Sequence, residues 1–202
     1  MKKYLILLAG PPATGKTYLV NLIREVLPKM YVVSPDEFKE DMAESVGFNS
    51  LEEKALLEEK VWFYYYQALN IYMTVGKQFI LTEYPFSIKQ KGKLKGLAEQ
   101  HNYEIITIRL TADFETLWNR RRARDLAKDR HLSFIMTHYH YGDVLDNREL
   151  ADNHISKGDF YNIIEARRYN HFSLGKLYTL DVTDYDKVDY TPLMKALRSL
   201  AD

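Results

Sequence analysis

The run Gly10-Pro11-Pro12-Ala13-Thr14-Gly15-Lys16-Thr17 constrains the fold of this chain more than any other stretch. It follows the uninterrupted apolar segment Tyr4 to Ala9 and precedes Leu19, Val20, Leu22, Ile23, Val26 and Leu27, which recur at helical spacing until Pro28. A strand apolar on both faces belongs in the middle of a parallel sheet with helices on either side. The first forty residues therefore prescribe strand, glycine-bearing turn and helix, the start of an α/β domain.

The remaining pattern continues that alternation. Met30 to Val33 reads as a second strand, broken by Ser34-Pro35 just before Asp36-Glu37. Leu51 to Val75 has neither proline nor glycine and carries Leu56, Leu57, Val61, Tyr64, Tyr65, Ala68, Leu69 and Tyr72, so a long helix is expected, ending at Gly76. Gln78 to Thr82 gives a third strand, Ile88 to His101 a helix and Glu104 to Leu110 a fourth strand. Asp113 suits a helix cap before Phe114, Leu117 and Trp118, and that helix runs into Arg120-Arg121-Arg122-Ala123-Arg124. His131 to Tyr169 is polar and aromatic and supports only short helices. Leu177 to Val182 is a fifth strand, followed by a closing helix from Pro192 to Leu200. No repeat, low-complexity tract or linker interrupts the chain, so residues 1–202 are expected to form a single domain.

Composition narrows the function classes. The 202 residues are 46% hydrophobic and 28% charged, enough for one sizeable core. Twenty-eight basic residues balance twenty-eight acidic ones, so no global field draws in nucleic acid or anionic lipid. The absence of cysteine excludes disulfides, thiol nucleophiles and thiolate metal sites. Met1-Lys2-Lys3 and the apolar run after it have the look of a short signal peptide, but the run stops at the glycine turn. Nothing later approaches the ~20 apolar residues of a membrane span. A cytoplasmic location without membrane association is the expectation.

The glycine turn has the residue spacing of a phosphate cradle. Gly10 and Gly15 allow successive backbone amides to face phosphate oxygens, and the helix beginning near Gly15 adds its positive dipole end. Lys16 can reach the β and γ phosphates, and Thr17 can offer its hydroxyl to Mg²⁺. Pro11, Pro12, Ala13 and Thr14 complete the loop. A nucleoside triphosphate so held needs an acceptor. Asp36, after the second strand, is the candidate base that orients a hydroxyl and takes its proton, although Ser34 or Asp36 serves equally well as a helix cap. Glu83, after the third strand, suits Mg²⁺ or a substrate hydroxyl, and the pattern does not separate these two roles. Arg120 and Arg124, four apart, share a helix face from which they can meet a transferring phosphate, although basic residues at a helix end also simply favour the dipole. Arg121, Arg122 and Arg130 are further basic residues of the same region.

Trp62 to Tyr66 and Tyr72 sit on successive helical directions, so most should pack in the core or line the acceptor pocket. The histidines show no helical zinc pair, since His138 and His140 are only two apart; His131 beside Arg130 could meet phosphate.

Taken together, Gly10 to Thr17, Asp36-Glu37-Phe38-Lys39, Leu81-Thr82-Glu83 and the arginine-bearing segment from Arg120 to Arg130 resemble the P-loop kinases of the zeta-toxin and polynucleotide-kinase type, AAA-type predicted kinases. The resemblance spans most of the first two thirds of the chain. It implies a P-loop NTPase three-layer sandwich with a five-stranded parallel sheet in the order 2-3-1-4-5 and a helical lid. It also implies ATP with Mg²⁺, Asp36 as acceptor base and lid arginines near the phosphates. Glu83 is closer to the zeta-type acid than to the aspartate common in polynucleotide kinases. Tyr84 stands where zeta-like sequences frequently have glycine, which implies a different acceptor pocket. The chain is short for a zeta toxin and shows no antitoxin segment, so shared chemistry without toxin activity is the expectation.

The leading function is transfer of the ATP γ phosphate to a hydroxyl of a small molecule of the nucleoside, sugar or nucleotide-sugar class. Nucleic-acid 5′-hydroxyl phosphorylation is disfavoured by the neutral charge. A non-catalytic ATP-binding regulator is the reading from another class. Residues 124–153 are the candidate lid, which would exclude water from the reacting phosphate. Composition leaves the oligomeric state open.

Overall fold

A computed structural model describes residues 2–201. The sheet has five parallel strands in the order β2-β3-β1-β4-β5, as the resemblance implies. The strands are β1 (Tyr4–Ala9), β2 (Tyr31–Val32), β3 (Phe79–Glu83), β4 (Glu104–Thr111) and β5 (Lys176–Asp181). The helices are α1 (Lys16–Val26), α2 (Pro35–Ser45), α3 (Leu51–Thr74), α4 (Ile88–Gln100), α5 (Phe114–Leu126), α6 (Lys157–Arg167) and α7 (Thr191–Arg198). Every residue of β1 is buried, because the strand lies between β3 and β4 and divides its side chains between two cores. Tyr4, Ile6 and Leu8 pack with Leu19 and Ile23 of α1 and Leu193 and Leu197 of α7. Leu5, Leu7 and Ala9 pack with Tyr65, Leu69 and Met73 of α3 and Leu94 of α4. Each fully buried Leu or Ile contributes about 1.5–3 kcal/mol, so the apolar run that opens the chain is also the spine of both layers.

Two segments differ from the sequence pattern. The second strand forms a ladder only over Tyr31–Val32, since it lies at the sheet edge. Residues 157–167 form an eleven-residue helix where only short helices are expected. Its start is capped by Ser156, which accepts from the Asp159 amide, but only Phe160 and Ile164 are buried, so its apolar periodicity is faint. In α3, Phe63 and Tyr64 lie exposed on the outer face, whereas Tyr65 is fully buried with its hydroxyl 2.9 Å from Thr82 Oγ1.

The residues after α5 dock on the hairpin of α2 and α3. Phe48 and Tyr139 exchange two backbone hydrogen bonds of 2.8 Å, and Lys54 Nζ donates to the Ser133 carbonyl at 2.6 Å. Beneath them, Ala43, Phe48, Leu132, Ile135, Tyr139 and Ala151 form a separate small core. Glu44 of α2 accepts from His131 Nε2 at 2.7 Å and from the Tyr139 hydroxyl. Since the Ser133 amide donates to His131 Nδ1, the ring is held with its proton on Nε2. Residues 131–153 are thereby tied to α2, whose first turn carries Asp36.

Candidate functional site

The carboxyl ends of β1, β2 and β3 converge with α5 on a cleft of about 760 Å³, the edge where an open α/β sheet places its ligands. At its floor is the turn between β1 and α1. Gly10 has φ 128°, Ala13 69° and Gly15 77°, so three residues of the loop are left-handed and the amides curl inward as a cradle. A Cβ on Gly10 would fall 2.2 Å from the Leu110 carbonyl oxygen, which excludes any side chain there. Thr14 is fully buried and its hydroxyl donates to the Pro11 carbonyl at 2.9 Å. Pro12 and Ala13 line the cleft beside it.

Lys16 opens α1 and donates to the carbonyls of Pro11 at 2.9 Å and Gly10 at 3.2 Å. Burial lowers its pKa to about 8; Arg124 adds to the fall, while Glu83 and Asp36 oppose it. Thr17 Oγ1 is 3.2 and 3.3 Å from the two oxygens of Glu83. That contact follows from register, since Glu83 ends β3 opposite Leu8, the residue before Ala9 at the close of β1. Glu83 is raised above the usual carboxylate range by burial and by the charges of Asp36 and Glu37, against Lys16 and the Thr17 hydroxyl. A hydroxyl and a carboxylate side by side are hard oxygen donors of the kind Mg²⁺ takes through one or two protein groups. The cradle and this pair fit a magnesium-bound triphosphate.

Asp36 lies in the first turn of α2, behind Ser34 as N-cap and Pro35. Neither expected cap bond forms, as the Ser34 side chain makes none. Asp36 pairs instead with Lys39 at 3.3 Å, and Lys39 Nζ also donates to the Tyr84 hydroxyl at 3.0 Å. Burial works against the Lys39 charge, but Asp36, Tyr84 and Glu58 together hold its pKa well above the ordinary value. Asp36 is still half exposed to the cleft.

The arginines of α5 divide. Arg120 donates to the carbonyls of Val182 at 2.8 Å and Thr183 at 3.0 Å, and its guanidinium stacks 3.6 Å from the ring centre of Tyr185. Tyr185 in turn lies against Gly15, where a Cβ would meet its hydroxyl at 2.7 Å. Arg121 Nε donates to Asp125, which also lies 3.3 Å from Arg130 Nε. Arg122 is exposed and does not line the cleft. Arg124 lines it with a buried Nε that has no hydrogen-bond partner. Burial, followed by the charge of Arg121, lowers the pKa of Arg124, with Asp125 and Asp36 opposing. Burial, followed by Arg124, lowers Arg130 to about 10. His131 turns toward Glu44 rather than the phosphate loop.

Lys16, Thr17, Asp36, Glu83, Arg120 and Arg124 therefore share one cleft. Three contributors escaped sequence reasoning. Asp125, which is 3% exposed, is a buried acid whose i,i+4 relation to Arg121 is visible in the sequence. Lys39 stands one turn after Asp36, a spacing that also signals a pair. Tyr185 had no signal at all, because only the return of β5 beside β4 brings it to Gly15.

The profile of the AAA domain family matches residues 5–137. No curated protein matches the chain. Among solved structures, the chain is similar to a candidate kinase from Chloroflexus aurantiacus, with TM-score 0.75 and 23% identity over 98% of each chain. It is also similar to a structure from the PezAT chromosomal toxin-antitoxin system of Streptococcus pneumoniae, with TM-score 0.52 and 14% identity over 98% of this chain and 78% of the other. A gluconokinase from Sinorhizobium meliloti matches with TM-score 0.53 and 10% identity over 97% and 90%. At these identities the likeness shows a shared fold.

Proposed function

Because this chain belongs to the AAA domain family, we propose that it is an ATP-dependent phosphotransferase whose acceptor is a hydroxyl of a small molecule. The observation that carries this reading is the meeting, in one cleft, of the phosphate cradle, the Thr17 and Glu83 pair, the Asp36 carboxylate and the unpartnered Arg124. A phosphate cradle alone suits any nucleotide-binding protein. A half-exposed carboxylate across the cleft, with an arginine left free, suits transfer of the terminal phosphate to a hydroxyl. The names of neighbours described as kinases agree with this assignment.

In this mechanism the loop amides and Lys16 hold the triphosphate, and the Arg120 and Tyr185 stack borders its nucleoside end. Thr17 and Glu83 would hold Mg²⁺, which when bound neutralises charge on the β and γ phosphates. Asp36, kept in place by Lys39, orients the acceptor hydroxyl and takes its proton. Lys16 and Arg124 stabilise the charge that grows on the transferred group. Arg120 is committed to backbone carbonyls, so Arg124 takes the part of the phosphate-facing arginine. Residues 124–153 are the candidate lid, and residues 131–153 rest on the hairpin of α2 and α3.

Incubation with ATP labelled in its γ phosphate, Mg²⁺ and a panel of sugars, nucleosides, nucleotide sugars and oligonucleotides tests the proposal. Label in a small alcohol supports it. Label appearing only as inorganic phosphate points to an ATPase or regulator, and label on oligonucleotide ends to a nucleic-acid kinase.

A further inference from the structure

The cleft has two chemically different parts. The ionic part holds the loop, Asp36, Glu83 and Arg124. The other is apolar and is lined by Phe134 together with Ile155, Phe160, Ile163 and Tyr169 of the stretch 155–169. Phe160 and Tyr169 belong to one buried cluster against which Ile155 packs, so this wall is continuous and backed by core. Ile163 is 41% exposed, an isoleucine left open to water inside a cleft. Its open face lies along the cleft, where an apolar group of a ligand would displace water from it.

The polar groups of this part are two phenols and two guanidinium groups, Arg121 at 5.8 Å from the Phe160 ring centre and Arg130 at 4.0 Å from that of Phe134. Burial, then the neighbouring Tyr84, pushes the Tyr169 phenol up to about 12. Tyr84 adds a second phenol, whose oxygen accepts from Lys39. Each phenol offers a single donor. No asparagine or glutamine lines the cleft among the described residues, and the carboxylates that do so, apart from Glu83, all come from α2. Recognition of a polyol needs paired donors and acceptors spread around the ring to replace the water its hydroxyls lose. The wall offers two phenols, and the guanidinium groups of Arg121 and Arg130 beside it face Asp125 and only donate, so donors outnumber acceptors along it.

Resting on the phosphotransferase reading above, we infer that the acceptor is an alcohol with an aromatic or cyclic apolar body. Its body seats against Ile155, Phe160, Ile163 and Tyr169, with its hydroxyl toward Asp36. Free hexoses, hexonates and other polyols are poor acceptors. In the transfer, the acceptor oxygen forms a bond to the γ phosphorus and the bond from phosphorus to the β,γ-bridging oxygen breaks. Its electron pair leaves with ADP, and the hydroxyl proton passes to the Asp36 carboxylate.

The test compares kcat/KM for two panels with labelled ATP and Mg²⁺: aryl alcohols and nucleosides in one, hexoses, hexonates and linear polyols in the other. It repeats the better panel with Ile163→Asn and Ile163→Leu, changes at an exposed position that leave the core intact. The aryl panel should win. Ile163→Asn should raise its KM roughly tenfold, with ATP affinity and kcat near wild type, and Ile163→Leu should restore most of the loss. Preference for hexoses or polyols, or an unchanged KM in Ile163→Asn, overturns the acceptor class while leaving the phosphotransferase standing. Label in no alcohol of either panel, with ATP bound, removes both.

Discussion

Removal of the Asp125 carboxylate tests how the arginine wall is held. Asp125 accepts from Arg121 and faces Arg130 at 3.3 Å, with side chains 4%, 16% and 14% exposed. In Asp125→Ala the two guanidinium groups remain largely buried beside Arg124 with no anion between them. Breaking a buried ion pair by removing one partner costs about 3–5 kcal/mol. The arginines border an open cleft, so the lower end, about 3 kcal/mol, applies. In a domain of this size each kcal/mol moves Tm by about 2–4 °C, giving a fall on the order of 6–12 °C. Asp125→Asn, which keeps the volume and one acceptor oxygen, should fall less. The same charge imbalance makes the variant a better anion binder. A ligand at one hundred times its Kd adds about 2.7 kcal/mol, so sulfate or ATP should recover most of the lost Tm and raise the variant more than the wild type. Calorimetric melts of the three proteins across a sulfate titration provide the measurement. A fall under about 2 °C in Asp125→Ala, or equal sulfate responses in variant and wild type, would refute the assigned role of the carboxylate.

Four further outcomes are expected. Asp36→Asn should lose about 10²–10⁴ in phosphoryl transfer with ATP affinity retained by calorimetric titration; near-normal turnover would remove Asp36 from the mechanism. Arg124→Ala should lower kcat by about 10²–10³ without a matching change in Tm, and a drop seen equally in Arg122→Ala would show that nonspecific charge is responsible. Lys16 has a pKa of about 8, and a bound triphosphate favours its charged form and raises that value. Magnesium-free ATP binding should take up protons, be strongest below pH 8 and weaken as pH rises, roughly tenfold per unit above it. Titration in buffers of differing ionisation enthalpy reads the uptake, and a flat affinity from pH 7 to 9 contradicts it. In Gly10→Ala, a Cβ 2.2 Å from the Leu110 carbonyl at φ 128° should destabilise the fold by at least ~2 kcal/mol, seen as a lower denaturant midpoint.

Much of this protein is determined by sequence alone, because the signals are local. The apolar run of β1, the glycines of the turn and the periodicity of α1 and α3 each arise from neighbours within a few residues, where the 3.6 and 2.0 residue periods operate. The same holds for Lys16, Thr17, Asp36 and Glu83, all placed by the ends of strands. The eleven-residue α6 stayed illegible because it buries only Phe160 and Ile164, and the docking of residues 131–153 because it depends on Phe48 meeting Tyr139 across ninety residues of chain. Tertiary structure alone decided that Arg120 turns to the Val182 and Thr183 carbonyls while Arg124 remains free, since four-residue spacing gives both the same helix face. It also decided that Phe134 and the stretch 155–169 line the same cleft as the phosphate loop. Helical and strand periodicity tell a side chain which face it shares, but the group that waits opposite that face comes from chain folding back at long range.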